Sequence, residues 1–586
     1  MHRRIWLFAG AAAAVLVVAG SAAATSRQAA VPASDVTPAA APFAQAWAHV
    51  PRTPAARKAK NIVVGAMEQD LSGTWNVNQA DSTLAWANWA GLNETMRGAF
   101  YVDASYHYHP DVVTKAVVNS KSITYYIRPD AYWNWGGKKI PVTYKDFVYS
   151  WQATLNPKNN VASRVGLNQI ARYTHKGDKQ VTFYWKTKDC TAEAPCGPYA
   201  DWRDLFVTPL GIYPSAAVKG LDWNTMWAKC VCGSDGKPVS NGPYVMTNYT
   251  KGQGLTLKAN PDWYGKKPAL KEVDWKLITD TNSEVQAIRG GEVDFAEPQP
   301  STALSSLRNV SGLAYKVTPG NYLEHIDLEE GPKAANPLLR APWMRQALML
   351  GMNRQGLINA VFGSVAPGLK PLNSLLVFQA DSRYKNYFNK WNYNPTKALA
   401  ILKKHCTGGP SKPTDGNTSY FTCSGYPAKF AYTTTAGNSR RETSEAIFKA
   451  NLGAIGIQIT DNFLPASVMF GDTVMTAGNY DMMEFAWGGQ VDPGTFGEIW
   501  GCGGTQNFLG YCHRTVNAFF NDAKTQLNAA KRDDDFIQAD RIMSQDVPAI
   551  PLYALPDVVT YKTGLTGIVP NAAYGVTWNI EDWAWK

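Results

Sequence analysis

The chain has 586 residues, of which 45% are hydrophobic, 12% aromatic and 18% charged. That length exceeds what one hydrophobic core supports, so we expect about two to four domains. The formal net charge of +10 comes from lysines and arginines scattered along the chain, without a basic run that interleaves aromatic residues. This distribution argues against a nucleic-acid-binding protein.

The N-terminus has the pattern of a secretory signal. An arginine pair at positions 3 and 4 precedes an apolar run from Ile5 to about Gly20, and three alanines follow at 22–24. These features predict a signal peptide over residues 1–24. The apolar run is slightly short for a spanning helix, and an uncleaved N-terminal anchor stays open as the alternative. No cysteine directly follows the run, so we expect no lipid attachment of the lipobox type.

Residues 25–60 are rich in alanine and proline and contain few large hydrophobic side chains. This composition predicts a disordered tether between the signal and the folded part of the chain. Because of the predicted signal peptide, we expect the protein to be exported to the cell envelope, on the periplasmic or extracellular face of the membrane.

All eight cysteines follow the predicted signal, as in proteins that fold in an oxidising compartment. Cys406 and Cys423 flank one loop rich in small and polar residues. Cys502 and Cys512 flank a second loop. We expect a local disulfide across each loop.

The other four cysteines are Cys190, Cys196, Cys230 and Cys232. One residue separates the last two, which is too tight for an easy mutual bridge. We therefore expect the first two to pair with the last two, with the connectivity open. A four-thiolate zinc site is the alternative, but the spacing lacks two regular zinc-type cysteine pairs and exported thiols tend to oxidise.

The first elements of the folded part have clear patterns. The apolar sequence NIVVGAMEQD from Asn61 predicts a strand, and KSITYYIRP at 121–129 alternates as a half-buried strand does. A helix should begin after Thr143, because Thr143 and Asp146 have the spacing of a capping box.

Later segments alternate between strands and helices. Residues 240–265 predict a hairpin, and residues 272–296 predict a strand, a helix capped near Thr281 and a second strand. Apolar residues at helical spacing cover 341–363, and a helix is also predicted over 394–405. Residues 444–464 predict a helix, a break at Gly456 and then a strand. This alternation predicts a mixed α/β protein.

The stretch NYDMMEFAWGGQVDPGTF, residues 479–496, predicts a strand that ends on bare backbone. Trp487 is followed by Gly488 and Gly489, although glycine is unfavourable within a strand. Paired glycines at this place indicate that another group approaches the backbone closely.

Four segments together resemble a known family. They are YYIRPDAYWNWGGKKIPVTYKDFVYSW at 125–151, NGPYVMTNYTKGQGLTLKANPDWYG at 241–265, RAPWMRQALMLGMNRQGLI at 340–358, and the stretch 479–496. In this order they resemble the extracytoplasmic solute-binding proteins of ABC importers, family 5, the peptide/oligopeptide/nickel-binding type. The resemblance covers roughly residues 61–586, with Asn353 where the family usually has aspartate.

The resemblance implies an α/β fold with two lobes, a periplasmic-binding-protein-like fold of type II in its large three-domain form. A hinge and an interlobe ligand cleft are part of that fold. Domain I would comprise 61–97, 212–318 and 548–586, domain II 98–211, and domain III 319–547.

The resemblance also implies a function. The protein would capture a small solute, with a peptide as the first expectation, and deliver it to the membrane permease of an ABC importer. We expect a monomer without cofactor, metal or nucleic-acid partner. A secreted hydrolase and a solute sensor without a transport role stay open as alternatives.

The stretch 479–496 would supply the ligand contacts. In peptide-binding members the matching strand lends its backbone N–H and C=O groups to the ligand, which is strand addition. Gly488 and Gly489 would let the ligand approach, and Trp487 would form the floor of the pocket.

One position departs from the family pattern. Peptide-binding members commonly place an aspartate shortly after the tryptophan to hold the ligand's α-ammonium group, and Gln490 stands there in this chain. A neutral amide does not replace that charge. Asp492, Asp81 and Glu484 are the candidate substitutes, although a solvated or capping carboxylate is the more ordinary role for each. A blocked peptide, a sugar and a metal complex therefore stay open as ligands.

Catalytic motifs are absent from the sequence. It contains no G-x-S-x-G, H-E-x-x-H or G-x-x-x-x-G-K-[ST] motif, so we expect no enzyme. His107 and His109 are spaced to share one face of a strand as a metal pair, but the sequence indicates no third ligand beside them. His405 and His513 each lie next to a cysteine. The expected disulfides account for these cysteines without a thiol–imidazole nucleophile.

Overall fold

The computed structural model describes residues 47–586, except 69, 72, 80–81, 83–87, 192–193, 299, 333, 471–472, 490–495 and 505. In the first half of the chain its strands are β1 Ile62–Met67, β2 Phe100–Val102, β3 Tyr108–Pro110, β4 Val113–Val118, β5 Ser122–Ile127, β6 Tyr132–Trp135, β7 Lys138–Pro141, β8 Ile170–His175, β9 Gln180–Trp185, β10 Val239–Ser240, β11 Tyr244–Thr250, β12 Gly254–Ala259, β13 Glu272–Leu277 and β14 Phe295–Ala296. The second half contains β15 Leu313–Leu328, β16 Cys406–Gly408, β17 Phe421–Cys423, β18 Tyr426–Pro427, β19 Lys429–Thr435, β20 Gln458–Leu464, β21 Met482–Gly488, β22 Ala549–Lys562, β23 Leu565–Thr566 and β24 Ala584–Trp585.

Helices lie between these strands and match most of the predicted positions. The α-helices of the described residues are Pro54–Lys60, Asn93–Thr95, Tyr144–Leu155, Thr281–Gly290, Pro342–Gly351, Arg354–Phe362, Pro395–His405, Ser439–Ala454, Ala466–Met469, Gly497–Trp500, Arg514–Ala523 and Ala529–Asp546. The predicted capping box is confirmed, because Thr143 and Asp146 bond reciprocally at the start of Tyr144–Leu155. None of the described helices has both the length and the apolar character needed to cross a bilayer.

A sheet of ten strands forms the centre of the molecule. Its order is β11-β12-β13-β1-β14-β22-β15-β21-β19-β20. The long strands β15 and β22 pair antiparallel and connect its two halves, with a register shift between Pro319 and Leu323. A separate sheet of four strands, β4-β5-β9-β8, packs in one core with β1, β12 and β13, whereas β15 and β21 belong to a second core. This architecture confirms the predicted two-lobed α/β fold.

Two large hydrophobic cores support these sheets. One lies around β15, β21 and β22 together with the helices from Pro342 to Asp546, and includes Trp487 and Trp500. The other joins β1, β12 and β13 to the four-stranded sheet. The ten-stranded sheet passes through the residues assigned to domains I and III, and the exact domain boundaries stay a prediction.

The predicted tether is wrong for residues 47–60. The helix Pro54–Lys60 begins at Thr53, whose side chain accepts a hydrogen bond from the backbone N–H of Ala56. Arg57 donates from Nε and Nη2 to the two carboxylate oxygens of Asp294, both at 2.6 Å, and is 1% exposed. A buried bidentate ion pair of this kind holds the segment on the sheet, which composition alone did not indicate. The predicted signal and the rest of the tether lie outside the described residues.

The cysteines all form disulfides. The predicted Cys406–Cys423 and Cys502–Cys512 bridges are confirmed. The predicted cross-pairing of the other four is wrong, because the bridges are Cys190–Cys196 and Cys230–Cys232. A bend at Val231 brings the Cα atoms of its neighbours to 5.3 Å, within the range of a disulfide. These bridges also rule out the four-thiolate zinc alternative.

Candidate ligand-binding site

Strand β21 has one paired edge and one edge that is partly open. It pairs antiparallel with β15 along its whole length, from Leu328 opposite Met482 to Tyr322 opposite Gly488. On the other edge, parallel β19 pairs with it only at Met482 and Met483. Within the described residues, the backbone from Ala486 to Gly488 therefore has no strand partner on that edge. Such an edge is available for pairing with an added extended chain.

The side chain of Trp487 lies beneath this edge. It is 3% exposed, packs edge-on against Phe485 at 5.1 Å between ring centroids, and stacks on Phe508 at 6.2 Å. Trp487 and Gly488 also border a narrow apolar gap that is too small to hold a water molecule, whose other walls include Leu372 and Phe378. Trp487 is thus both a core residue and a wall of this gap.

The two glycines have different surroundings. At Gly489, the backbone N–H donates to the carbonyl oxygen of Asn321 at 2.6 Å, and the Asn321 side-chain amide donates to the Gly489 carbonyl at 3.1 Å. A Cβ atom at Gly489 would collide with Asn321 and Phe378. The groups that approach Gly489 in this structure therefore belong to the protein, and the ligand contact expected there stays a prediction.

A contact between the lobes lies beside these glycines. Tyr106, in the loop between β2 and β3, donates its hydroxyl hydrogen bond to the side-chain oxygen of Asn321 at 3.3 Å. Tyr106 has a φ of 64°, a left-handed conformation that is uncommon for a bulky residue. Burial, followed by the charges of Asp381 and Asp557, raises the pKa of Tyr106. Sequence reasoning missed Tyr106 and Asn321, because neither lies in a recognisable motif.

An acidic group lies at the irregular part of β15. Asp557 on β22 is opposite Thr318, and its carboxylate fills the space that a Cβ at Gly320 would need. Burial raises the pKa of Asp557 to about 7. Burial, then the charges of Asp557 and Glu297, raise the pKa of Tyr322 to about 12. Two carboxyl groups, Asp381 and Asp557, and one guanidinium, Arg383, therefore act on Tyr106 beside Asn321.

Glu484 lies in a buried charged network instead of facing open space. It is 0% exposed and accepts a hydrogen bond from the Tyr432 hydroxyl at 2.8 Å. Nearby, Glu324 forms ion pairs with Arg440 at 3.0 Å and Arg441 at 2.6 Å. This position corrects the predicted ligand role of Glu484, because its carboxylate contacts the protein interior.

The two carboxylates of the network have opposite pKa shifts. Although burial opposes ionisation of Glu324, Arg440 and Arg441 lower its pKa to about 2. Burial and the adjacent negative Glu324 raise the pKa of Glu484 to about 8. The network therefore contains one ionised and one protonated carboxyl group at neutral pH.

This arrangement predicts a pH-dependent contribution of Glu484 to stability. Its folded-state pKa of about 8 lies above the ordinary value of 4.5, so the folded protein holds a proton that the unfolded chain releases. The stability contribution is complete below pH 4.5 and is lost as the pH rises towards 8. Urea unfolding at several pH values should show a smaller decline over this window for Glu484→Gln than for the original protein. Parallel curves for the two proteins would contradict the assignment.

Three of the predicted ligand-site residues, Asp81, Gln490 and Asp492, lie outside the described residues, and their ligand roles stay predictions.

The two histidines considered as a metal pair, His107 and His109, lie on the β2–β3 hairpin. Each of these two histidines contacts the Asp103 carboxylate, at 3.7 Å from His107 Nδ1 and 2.8 Å from His109 Nε2. Away from the hairpin, His405 stacks on Trp343 at 4.4 Å. His513 caps the helix Arg514–Ala523, and neither His405 nor His513 neighbours a free thiol.

Comparison with known proteins decides the family. The sequence model described as "Bacterial extracellular solute-binding proteins, family 5 Middle" matches residues 107–507, well over half of the chain. The chain belongs to this family. It is a solute-binding protein of family 5, in agreement with the resemblance of the four segments, and the family is one of binding proteins and not of enzymes.

Relatives and solved structures agree with this membership. The family 5 protein is 24% identical to the oligopeptide-binding protein OppA of Bacillus subtilis over 497 residues, which cover 82% of this chain and 85% of the relative. Its structure resembles a periplasmic EDTA-binding protein, EppA, with a TM-score of 0.72 at 20% identity, covering 89% and 96% of the two chains. It also resembles AppA from Bacillus subtilis in complex with a nonapeptide, with a TM-score of 0.64 at 18% identity, covering 90% and 98%.

Proposed function

We propose that this family 5 protein captures short peptides between its two lobes and delivers them to the membrane permease of an ABC importer. The observation that carries the proposal is the open edge of β21 from Ala486 to Gly488. An extended peptide added there gains backbone hydrogen bonds regardless of its sequence, whereas a compact solute cannot use a strand edge in this way.

The energies fit such a receptor. Each backbone hydrogen bond contributes about 0.5–1.5 kcal/mol net, so a few of them supply only part of the roughly 8 kcal/mol that corresponds to micromolar affinity. Burial of apolar peptide side chains between the closing lobes would supply a further part. Contacts between the lobes, such as the hydrogen bond from Tyr106 to Asn321, would accompany closure over the peptide.

Asp557 is our proposed partner for the ligand's positive charge. It is half-buried on β22, and burial raises its pKa to about 7. An ammonium group beside it would stabilise the ionised carboxylate and offset the cost of burying its charge. This placement would explain how a peptide N-terminus is recognised although Gln490 replaces the usual aspartate.

The names of relatives support a peptide and also show a contrasting solute. OppA is an oligopeptide-binding protein and AppA was solved with a nonapeptide, whereas EppA binds EDTA. A chelate would not need the open strand edge, and for this reason we favour the peptide. We further propose export by the N-terminal signal, action as a monomer in the cell envelope, and no catalytic role.

The decisive experiment combines identification of bound solute with direct binding. The protein purified from its native host should release peptides on denaturation, detected by mass spectrometry, and a library of two- to nine-residue peptides should change its tryptophan fluorescence. Recovery of each added peptide unchanged separates the receptor from a hydrolase. Asp557→Asn should weaken binding of free peptides more than that of N-acetylated ones. Absence of any peptide response would overturn the proposal.

A further inference from the structure

A second group of potential ligand atoms lies at the other end of the ten-stranded sheet. His49 precedes the helix Pro54–Lys60, and Glu272 and Asp274 lie two residues apart on β13. One ligand atom from each of the three side chains lies within 4.8 Å of the other two. Four strands, β1, β14, β22 and β15, separate β13 from β21 in the sheet order, so this group is independent of the proposed peptide site.

The hydrogen bonds of the group leave one oxygen unused. The Nε2 atom of His49 lies 2.7 Å from Glu272 Oε1. Thr256 donates to Oδ1 of Asp274 at 2.6 Å, which fixes the carboxylate in place. The other oxygen, Oδ2, faces no N–H or hydroxyl donor at hydrogen-bond distance although Asp274 is only 1% exposed, and the carboxyl group of Glu272 is its neighbour. A buried carboxylate oxygen without such a donor is costly, and its position beside an imidazole and a second carboxylate points to a bound cation.

We propose that His49, Glu272 and Asp274 bind one divalent transition-metal ion, with Zn²⁺ as the best match. Zinc accepts imidazole nitrogen and carboxylate oxygen together, and three protein ligands leave a fourth position for water. Magnesium and calcium prefer oxygen ligands throughout, so the histidine selects against them. The half-exposed His49 side chain gives the ion a path of entry from solvent.

The cations already near the group do not replace the ion. Lys258 lies 3.7 Å from Glu272 Oε2, but its side chain is 55% exposed and is free to turn towards water. A divalent ion carries twice the charge of this solvated ammonium and would displace it as the partner of the two carboxyl groups. Thr256 also accepts a hydrogen bond from Trp47 Nε1 at 3.1 Å, so the segment that carries His49 is positioned on β12 even before the ion binds.

The site would fasten the N-terminal segment to the sheet. Arg57 and Asp294 hold one end of this segment, and the metal would hold the part around His49. Its ligands come from residues 223 apart in sequence, so binding cross-links the segment to β13. The proposed role is therefore structural, namely to define where the folded body begins after its N-terminal extension.

Zinc titration of the metal-free full chain without a histidine tag tests the proposal. Calorimetry should show saturable binding of one Zn²⁺ per chain and weak binding of Mg²⁺. Loss of an outer-sphere partner already weakens metal sites by about 10–100-fold, so His49→Ala should weaken zinc binding by at least that factor. Asp274→Asn should do the same, and His107→Ala, which alters an exposed histidine of the β2–β3 hairpin, is the matched control and should bind as the original protein does.

Limited proteolysis is a second test, because an adventitiously bound ion elsewhere would not change the rate of cleavage beside His49. Arg52 is exposed between His49 and the helix, so trypsin should cleave there more slowly in the presence of zinc. The protection should be missing in His49→Ala, a surface substitution that leaves the fold intact. Equal zinc affinity in His49→Ala, or zinc binding that disappears only in His107→Ala, would overturn the proposal.

Discussion

Replacement of Glu324 by glutamine is expected to destabilise the protein by about 3–5 kcal/mol, because it leaves one buried and one partly buried guanidinium group without their carboxylate. Glu324 is 0% exposed and contacts Arg440 and Arg441 at 3.0 and 2.6 Å. Part of the loss should be offset by Glu484, whose raised pKa depends partly on the negative charge of Glu324. Once that charge is removed, Glu484 ionises more easily and takes over as partner.

Urea unfolding followed by tryptophan fluorescence measures this effect. The compensation predicts that Glu324→Gln combined with Glu484→Gln is more destabilising than the sum of the single changes. The control is Asp522→Asn, which removes the carboxylate of an exposed ion pair 3.0 Å from Lys531 and should cost a small fraction as much. A Glu324→Gln protein as stable as the original would refute the role assigned to the network.

Replacement of Gly488 by valine is expected to weaken peptide binding by about 10- to 100-fold while leaving unfolding unchanged. Gly488 is the last residue of β21 and is half-buried at the open edge. A branched side chain there would keep a peptide away from the backbone and remove about two hydrogen bonds, each of which contributes about 0.5–1.5 kcal/mol. Tryptophan fluorescence with a peptide identified in the library measures the affinity.

The neighbouring glycine is the matched control for this substitution. Gly489→Ala should destabilise the fold by about 1–3 kcal/mol, because its Cβ would collide with Asn321 and Phe378. The two substitutions should therefore have different effects: Gly488→Val should weaken peptide binding, and Gly489→Ala should lower the stability of the fold. If Gly488→Val binds peptide with unchanged affinity, the open edge of β21 is not the ligand site.

Local patterns were sufficient for much of the secondary structure and for the family. The capping box at Thr143, the hairpin of β11 and β12 and the strand β21 each depend on neighbouring residues, so the sequence contains the necessary information. The likeness of four segments likewise needs only the order of residues along the chain. Disulfides across the loops at Cys406–Cys423 and Cys502–Cys512 were predictable for the same reason.

The details of the site depended on contacts between residues distant in sequence. Sequence alone could not show that Asn321 bonds to Gly489, 168 positions away, or that Tyr106 of the other lobe meets the same side chain. It also placed Glu484 at the ligand, whereas the fold surrounds its carboxylate with Tyr432 and the pair of Glu324 with two arginines.

Two wrong predictions, the tether over residues 47–60 and the cross-pairing of four cysteines, have the same origin. The alanine- and proline-rich composition of residues 25–60 predicts disorder, yet a single arginine within it finds Asp294 across 237 positions and becomes buried. The bend at Val231 permits a bridge that spacing argued against. The sequence by itself thus determined the elements, the family and the strand that we propose to hold solute. Only the tertiary structure decided which backbone groups remain free there, because burial and hydrogen-bond partners are set by the packing of distant segments.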